Sequence, residues 1–237
     1  MKKKIAIIGS GIAGLVLAGL LQNNSNFEFV VYEKEDALNL DEGFGVQLST
    51  NSISILNKIG FDQLSKKEKH HPSKLDFYSM NCNKICELDL TTFNSLNEKY
   101  TTLKRSVLIN FLKERLLSNS IIFGKKINKL ERINEKINIY FTDGSSDKLD
   151  YVVVSDGVFS NTKSIIEKKI YRSIYYGAIA IRTKIKSQDI LNHNTDNISL
   201  FMGSNFHLVL YPINQKKEFN LFCIIRQKFE AKDSIKT

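Results

Sequence analysis

The chain has 237 residues, of which 42% are hydrophobic and 25% charged. That is enough for one large domain or two small ones burying about 70% of the unfolded surface, and too apolar for wholesale disorder. A net charge of +9 would suit a nucleic acid or an anionic membrane. The lysines, however, are scattered among acids, without zinc-finger spacing or an RNA-binding aromatic signature, so no nucleic-acid partner is expected. Cys82, Cys86 and Cys223 make an odd count, for which a reduced, cytoplasmic compartment is the simplest reading.

Lysines 2 to 4 precede a long uncharged run, as in a signal peptide or membrane anchor. The glycine spacing within that run points elsewhere, and no transmembrane segment is expected. Ile5 to Ile8 is short, apolar and mostly β-branched, the pattern of a buried parallel strand. Gly9, Gly11 and Gly14 follow as GxGxxG, with Ile12 and Ala13 inside the motif and Leu15, Val16, Leu17, Leu20 and Leu21 continuing as an apolar helix. Such a turn lets backbone approach a pyrophosphate and presents helix N–H groups to an anion. A second strand, FEFVVY, ends at Glu33 and Lys34, where a carboxylate can accept bonds from both ribose hydroxyls and repel a 2′-phosphate. This unit predicts a dinucleotide site.

The polar stretch 34–42 leads to Gly43 and Gly45, expected to form a loop where backbone comes close to something else, with Gln47 just beyond in a short strand or turn. Thr50 or Asn51 is positioned to cap a helix carrying Ile53, Ile55, Leu56 and Ile59, which Gly60 stops. His70 and His71 precede Pro72 in a lysine-rich connection and read as solvated loop residues; the Cys82 and Cys86 pair is poorly spaced for zinc, and no metal site is expected. Residues 74–90 read as a hairpin turning at Asn81 to Asn83 and belonging to a second layer.

Helical periodicity returns over 104–117, with Arg105 in the first turn. A cation there opposes the helix dipole unless it serves something nearby, which makes Arg105 a candidate site residue. Two strands follow up to Phe141, turning at Asn134 and Glu135, and then LDYVVVSD, apolar on both faces, is expected to be a central strand ending at Asp156 and Gly157. An acid at the carboxyl end of such a strand sits where open α/β sheets bind ligands. Ser160 is placed to cap the next helix, and beyond Lys168 the stretches 170–185, 199–202, 206–213 and 218–226 read as long strands of a mixed or antiparallel sheet.

Taken together, these motifs resemble the FAD-dependent aromatic-ring monooxygenases, in particular the branch of salicylate hydroxylase and zeaxanthin epoxidase. GFGVQLSTNSISILNKIG, LKRSVLINFLKERL, DYVVVSDGVFSNTK and GSNFHLVLYPINQKKEFNLFCII are similar, in order, to segments of that family. Val154, Ser155 and Lys163 depart from it, standing where the family has Gly, Ala and Arg.

The resemblance implies an α/β fold: a Rossmann-like FAD-binding domain, residues 1–72 and 100–168, with a mixed or antiparallel substrate-domain sheet, residues 73–99 and 169–237. It implies FAD as cofactor, held by Gly9, Gly11, Ile12, Ala13, Gly14, Glu33, Lys34, Gln47, Arg105 and Asp156, with NADH or NADPH as transient reductant and a small aromatic or otherwise electron-rich substrate. No proton-transfer residue is assigned. Members of the family continue into a Gly-Asp motif, but this sequence contains no Gly-Asp dipeptide and its last proline is Pro212. The expectation is therefore a chain lacking the usual C-terminal part, with an apolar surface left exposed for association. Two readings stay open: a flavin monooxygenase, or a truncated or split-gene relative that binds the adenosine part of FAD and is catalytically incompetent alone.

Overall fold

The computed structural model describes residues 2–38, 40, 44–172, 174–190 and 193–227; Gly43, the acids at 41–42 and the polar tail 228–237 lie outside the described residues. The chain forms two compact units, residues 1–42 with 108–173 and residues 43–107 with 174–237.

The first unit opens with strand β1 (Lys3–Ile8), helix α1 (Ile12–Gln22) and strand β2 (Phe27–Tyr32). The second begins with β3 (Gly45–Leu48), α2 (Thr50–Asn57), β4 (Lys69–His70), the hairpin β5 (Lys74–Ser79) and β6 (Lys84–Asp89), and then β7 (Thr101–Lys104). The division falls inside α3 (Arg105–Glu114). The first unit resumes with β8 (Ile121–Ile122), β9 (Ile127–Ile133), β10 (Lys136–Phe141), β11 (Ser146–Leu149), β12 (Tyr151–Val154) and α4 (Thr162–Glu167). The second ends with β13 (Ala178–Lys186), β14 (Ile198–Met202), β15 (Phe206–Ile213) and β16 (Glu218–Arg226).

In the first unit β12, β1, β2 and β8 form a parallel sheet in that order. Alternation along β1 sends Ile5 and Ile7 to one face, where they pack with Ala18 of α1 and Val31. Ala6 and Ile8 go to the other face, against Ile127, Ile139, Phe141 and Leu149 of the antiparallel meander β9, β10 and β11. Both faces are covered, which is why the strand reads as an unbroken apolar run. At the rim, Tyr32 donates to Asp147 Oδ2 at 2.6 Å and Lys4 to Asp147 Oδ1 at 2.8 Å.

In the second unit the order is β13, β16, β15, β14, β5, β6; all neighbours are antiparallel except β14 and β5, which run parallel. A smaller antiparallel sheet holds β3, β7 and β4. Leu90, Ile198, Tyr211 and Ile213 form the core of this unit with Leu75, Tyr100 and Val209.

The α/β class and its separate mixed sheet agree with the sequence expectation, and four local details differ. LDYVVVSD is not central: β12 lies at the edge of its sheet among the described residues, with Tyr151 51% and Val153 and Val154 each 37% exposed. Apolar composition alone does not place a strand inside its sheet: β12 pairs with β1 on one side only among the described residues. The cap position of α2 is Ser49 rather than Thr50 or Asn51, because helical geometry already begins at Thr50.

His70 is in β4 rather than a solvated loop; its Nε2 meets the Asp196 carbonyl at 2.9 Å, and His71 Nδ1 meets the Tyr100 carbonyl at 3.3 Å. Burial pushes both imidazoles below their ordinary pKa. Strand geometry in the last segment starts at Ala178, not near 170.

Ile139 is fully buried between sheet and meander, whereas Ile133 at the end of β9 is 46% exposed. Ile139→Ala is expected to cost about 2–5 kcal/mol of stability and Ile133→Ala less than about 0.5 kcal/mol, measured as shifts in the denaturant midpoint.

Candidate functional site

The glycine motif sits at the carboxyl end of β1, between the parallel sheet and α1. Gly9 has φ +99°, a left-handed conformation, and a Cβ added to it would lie 2.7 Å from the Ser155 carbonyl oxygen. A Cβ on Gly14 would stand 2.0 Å from the Gly9 carbonyl oxygen. Both glycines are therefore required by packing of the chain against itself. Gly11 differs: a Cβ there would meet nothing within 4 Å, so its missing side chain leaves open space in front of the helix. Helix α1 starts at Gly11 without a side-chain cap, and its first-turn amides remain available to an anion.

Glu33 follows β2 and is tied to the same turn. The amide and the hydroxyl of Ser10 both donate to Glu33 Oε2, at 2.8 and 2.6 Å, and the Glu35 amide donates to Oε1 at 3.1 Å. Burial opposes ionisation of Glu33. Hydrogen bonds from the Ser10 hydroxyl and from the amides of Ser10, Glu35 and Lys34 outweigh it, and the pKa falls below its ordinary 4.5. An ionised carboxylate has about four acceptor positions; Ser10 takes the two on Oε2 and the Glu35 amide one on Oε1.

Ser155 donates its hydroxyl to the Ile8 carbonyl at 2.8 Å, holding the end of β12 against the end of β1. The neighbouring Asp156 accepts from the Thr162 hydroxyl at 2.7 Å through Oδ2, while its Oδ1 is buried with no hydrogen-bond partner among the described residues. Such an atom costs free energy until a donor reaches it. Beside it opens a cleft of about 300 Å³ lined by Val154, Asp156, Gly157, Ser160, Lys163, Ile166 and Glu167. Lys163, at the position of the family arginine, places its ammonium 4.2 Å from the centre of the Tyr171 ring.

Of the residues singled out from sequence, the first unit holds Gly9, Gly11, Ile12, Ala13, Gly14, Glu33, Lys34 and Asp156. Ile12 and Ala13 begin α1, with Ala13 exposed; Lys34 is exposed and lies 3.5 Å from Glu35. Gln47 and Arg105 belong to the second unit. Gln47 is exposed on β3. The Arg105 amide donates to the Phe44 carbonyl at 2.8 Å, at the first residue of α3.

Sequence reasoning missed Ser10, Ser155 and Thr162. Each acts through the conformation of a turn, and only the position of Ser10 between two motif glycines could have signalled it.

A family model described as an NAD(P)-binding Rossmann-like domain matches residues 7–40. The chain is 26% identical over 165 residues to 6-hydroxynicotinate 3-monooxygenase of Pseudomonas fluorescens, covering 68% of this chain and 42% of that protein. It is 21% identical over 247 residues to salicylate hydroxylase of Pseudomonas putida, covering 97% of this chain and 56% of that protein. Among solved structures, Klebsiella pneumoniae HpxO complexed with FAD and uric acid superposes with a TM-score of 0.83 at 17% identity, over 98% of this chain and 58% of that one. The chain thus spans about half the length of these relatives.

Two substitutions separate the roles of the glycines: Gly14→Ala is expected to destabilise the first unit severely, and Gly11→Ala to leave thermal unfolding unchanged by calorimetry. The lowered pKa of Glu33 carries a pH signature: its stabilisation is complete above 4.5 and is lost as pH falls through the lower folded value. The stability difference between the parent protein and Glu33→Gln is accordingly expected to be largest near neutral pH and to shrink below 4.5 in denaturant titrations. In sequence the chain is similar to salicylate hydroxylase and other proteins named as monooxygenases, and in fold it is similar to HpxO complexed with FAD and uric acid.

Proposed function

We propose that this chain binds FAD and forms part of an NADH- or NADPH-dependent monooxygenase acting on a small aromatic or related electron-rich molecule. The observation that carries the reading is the Glu33 carboxylate, held ionised by Ser10 at the lip of a glycine turn that leaves open space at Gly11. The unpartnered Asp156 Oδ1 beside its cleft fits a ligand rich in hydroxyl donors. Relatives named for hydroxylation of hydroxynicotinate and salicylate support the substrate class.

In this reading the first-turn amides of α1, at Ile12 and Ala13, hold the pyrophosphate, and Glu33 accepts from the adenosine ribose, with Lys34 beside it. Asp156 accepts from a sugar-chain hydroxyl, and Gln47 and Arg105 serve the remainder of the cofactor. Bound FAD supplies the oxygen-transfer chemistry. Drawn by function, the cofactor domain is residues 1–72 and 100–168 and the substrate sheet residues 73–99 and 169–237. Among the described residues no helix is long and apolar enough to cross a membrane, and we assign the protein to the cytoplasm. The apolar surface at Tyr151, Val153, Val154, Val158 and Phe159 is assigned to association with further polypeptide.

The second reading is an adenosine-binding relative that is incompetent alone; the chain spans about half the length of the relatives it matches. One experiment separates the two. Titration with FAD is expected to give a stoichiometric yellow complex that Glu33→Ala weakens at least about tenfold, since charge-assisted hydrogen bonds are each worth roughly 1.5–3 kcal/mol. Oxidation of NADH or NADPH by that complex should rise when aromatic acids are added. Binding without such stimulation across a phenolic panel selects the second reading, and no binding at all rejects both.

A further inference from the structure

Helix α4 ends abruptly, and the chain folds back over it. Its inner side is anchored by Thr162, only 3% exposed, and by Ile165, which packs against the core between sheet and meander. Lys168 then takes a left-handed conformation, with φ +49°, where a helix more often ends in glycine. The residues after it return along the helix. The Lys169 amide donates to the Ser164 carbonyl at 3.2 Å, and the Tyr171 amide to the Ser164 hydroxyl oxygen at 3.4 Å.

This reversal gathers the outward side chains into one patch. Lys163, Ile166 and Glu167 line the same cleft. The Tyr171 hydroxyl donates to the Glu167 carboxylate, and the Tyr171 ring centre lies 4.2 Å from the Lys163 ammonium and 5.5 Å from that of Lys169. Apolar side chains stand out among these cations: Ile166 is 52% and Ile170 80% exposed.

Charge in the patch is one-sided. Between residues 163 and 172 stand Lys163, Lys168, Lys169 and Arg172, against the single acid Glu167. Among the described residues none of the four cations forms an ion pair with a carboxylate. Glu131, the acid nearest in influence to Lys168, is already paired with Lys129 at 2.5 Å.

Such a mixture discriminates between partners. A nucleic acid would engage the cations and leave two isoleucines in water. A bilayer with anionic headgroups accepts every component at once: cations meet headgroup charge wherever they sit, a tyrosine suits the headgroup level, and isoleucines reach the acyl boundary. The net charge of +9 on the whole chain favours approach to such a surface.

We propose that the turn formed by α4 and residues 168–172 docks on an anionic lipid surface, with Lys168, Lys169 and Arg172 at the headgroups and Ile166 and Ile170 entering the acyl boundary. The patch lies wholly within the first unit, and the inference is independent of the cofactor reading above.

The test is co-sedimentation of the full chain with vesicles of phosphatidylcholine alone and with vesicles of equal parts phosphatidylcholine and phosphatidylglycerol. Binding is expected only to the second, and added salt should weaken it steeply. Replacing Lys168, Lys169 and Arg172 together by Gln should weaken binding about a hundredfold, and Ile170→Ser about tenfold. Replacing Lys2, Lys113 and Lys126 together by Gln removes the same charge from exposed lysines elsewhere in the first unit, and should leave affinity within about threefold of the parent. Every substituted residue is exposed, so thermal unfolding of all three variants should match the parent. Equal binding to the two vesicles, no binding to either, equal losses in the two triple variants, or parent-like binding by Ile170→Ser would each overturn the proposal. Tighter binding to a DNA duplex than to the anionic vesicles, lost with the same three cations, would assign the patch to nucleic acid and overturn it as well.

Discussion

The close approach of three chain segments at Gly9 is the constraint on which the first unit depends. The end of β1, the first turn of α1 and the end of β12 meet within the space that a single methyl group would fill. The Ser155 hydroxyl closes that junction onto the Ile8 carbonyl. Once the junction is made, the helix amides, Glu33 and Asp156 all face the carboxyl end of a parallel sheet, where open α/β folds expose their loops to ligands. The apolar burial on either side, Ile7 against α1 and Ala6 against the meander, supplies the rigidity that lets so tight a turn persist.

The second unit solves a different problem. Its six-stranded sheet is mixed only at β14 and β5, where a late strand lies parallel to one laid down more than a hundred residues earlier. That pairing makes the fold non-local and lets β3 and β7, early segments of the unit, rest on β15 and β16. The Thr102 hydroxyl reaches the Pro212 carbonyl across 110 positions of sequence, a contact that no local rule anticipates.

Much of the first unit was legible in the sequence because its signals are local. The strand run, the glycines, the helix and Glu33 all lie within 33 residues, and each position is fixed by backbone sterics or alternation. The hairpin at residues 74–90 and the late strands were legible for the same reason. What could not be read was partnership. β12 has the composition of a central strand and sits at an edge, because composition does not say which strand lies beside it. His70 looked solvated among lysines and is paired with a carbonyl 126 positions away. Ser10 was not singled out, although its hydroxyl and amide both donate to Glu33.

The two bonds from Ser10 to Glu33 also limit how cofactor preference can change. In the proposed reading, the residue assigned to the sugar and the loop assigned to the phosphates form a single mechanical piece, like the two jaws of a caliper set by one screw. Exchanging the acid for a basic residue, the simplest route toward a 2′-phosphate, would do more than reverse a charge. It would strip the Ser10 hydroxyl and amide of their acceptor and loosen the glycine turn in the same stroke. Drift toward the phosphorylated nucleotide would therefore have to rebuild residue 10 together with residue 33, and the pair would vary as a unit.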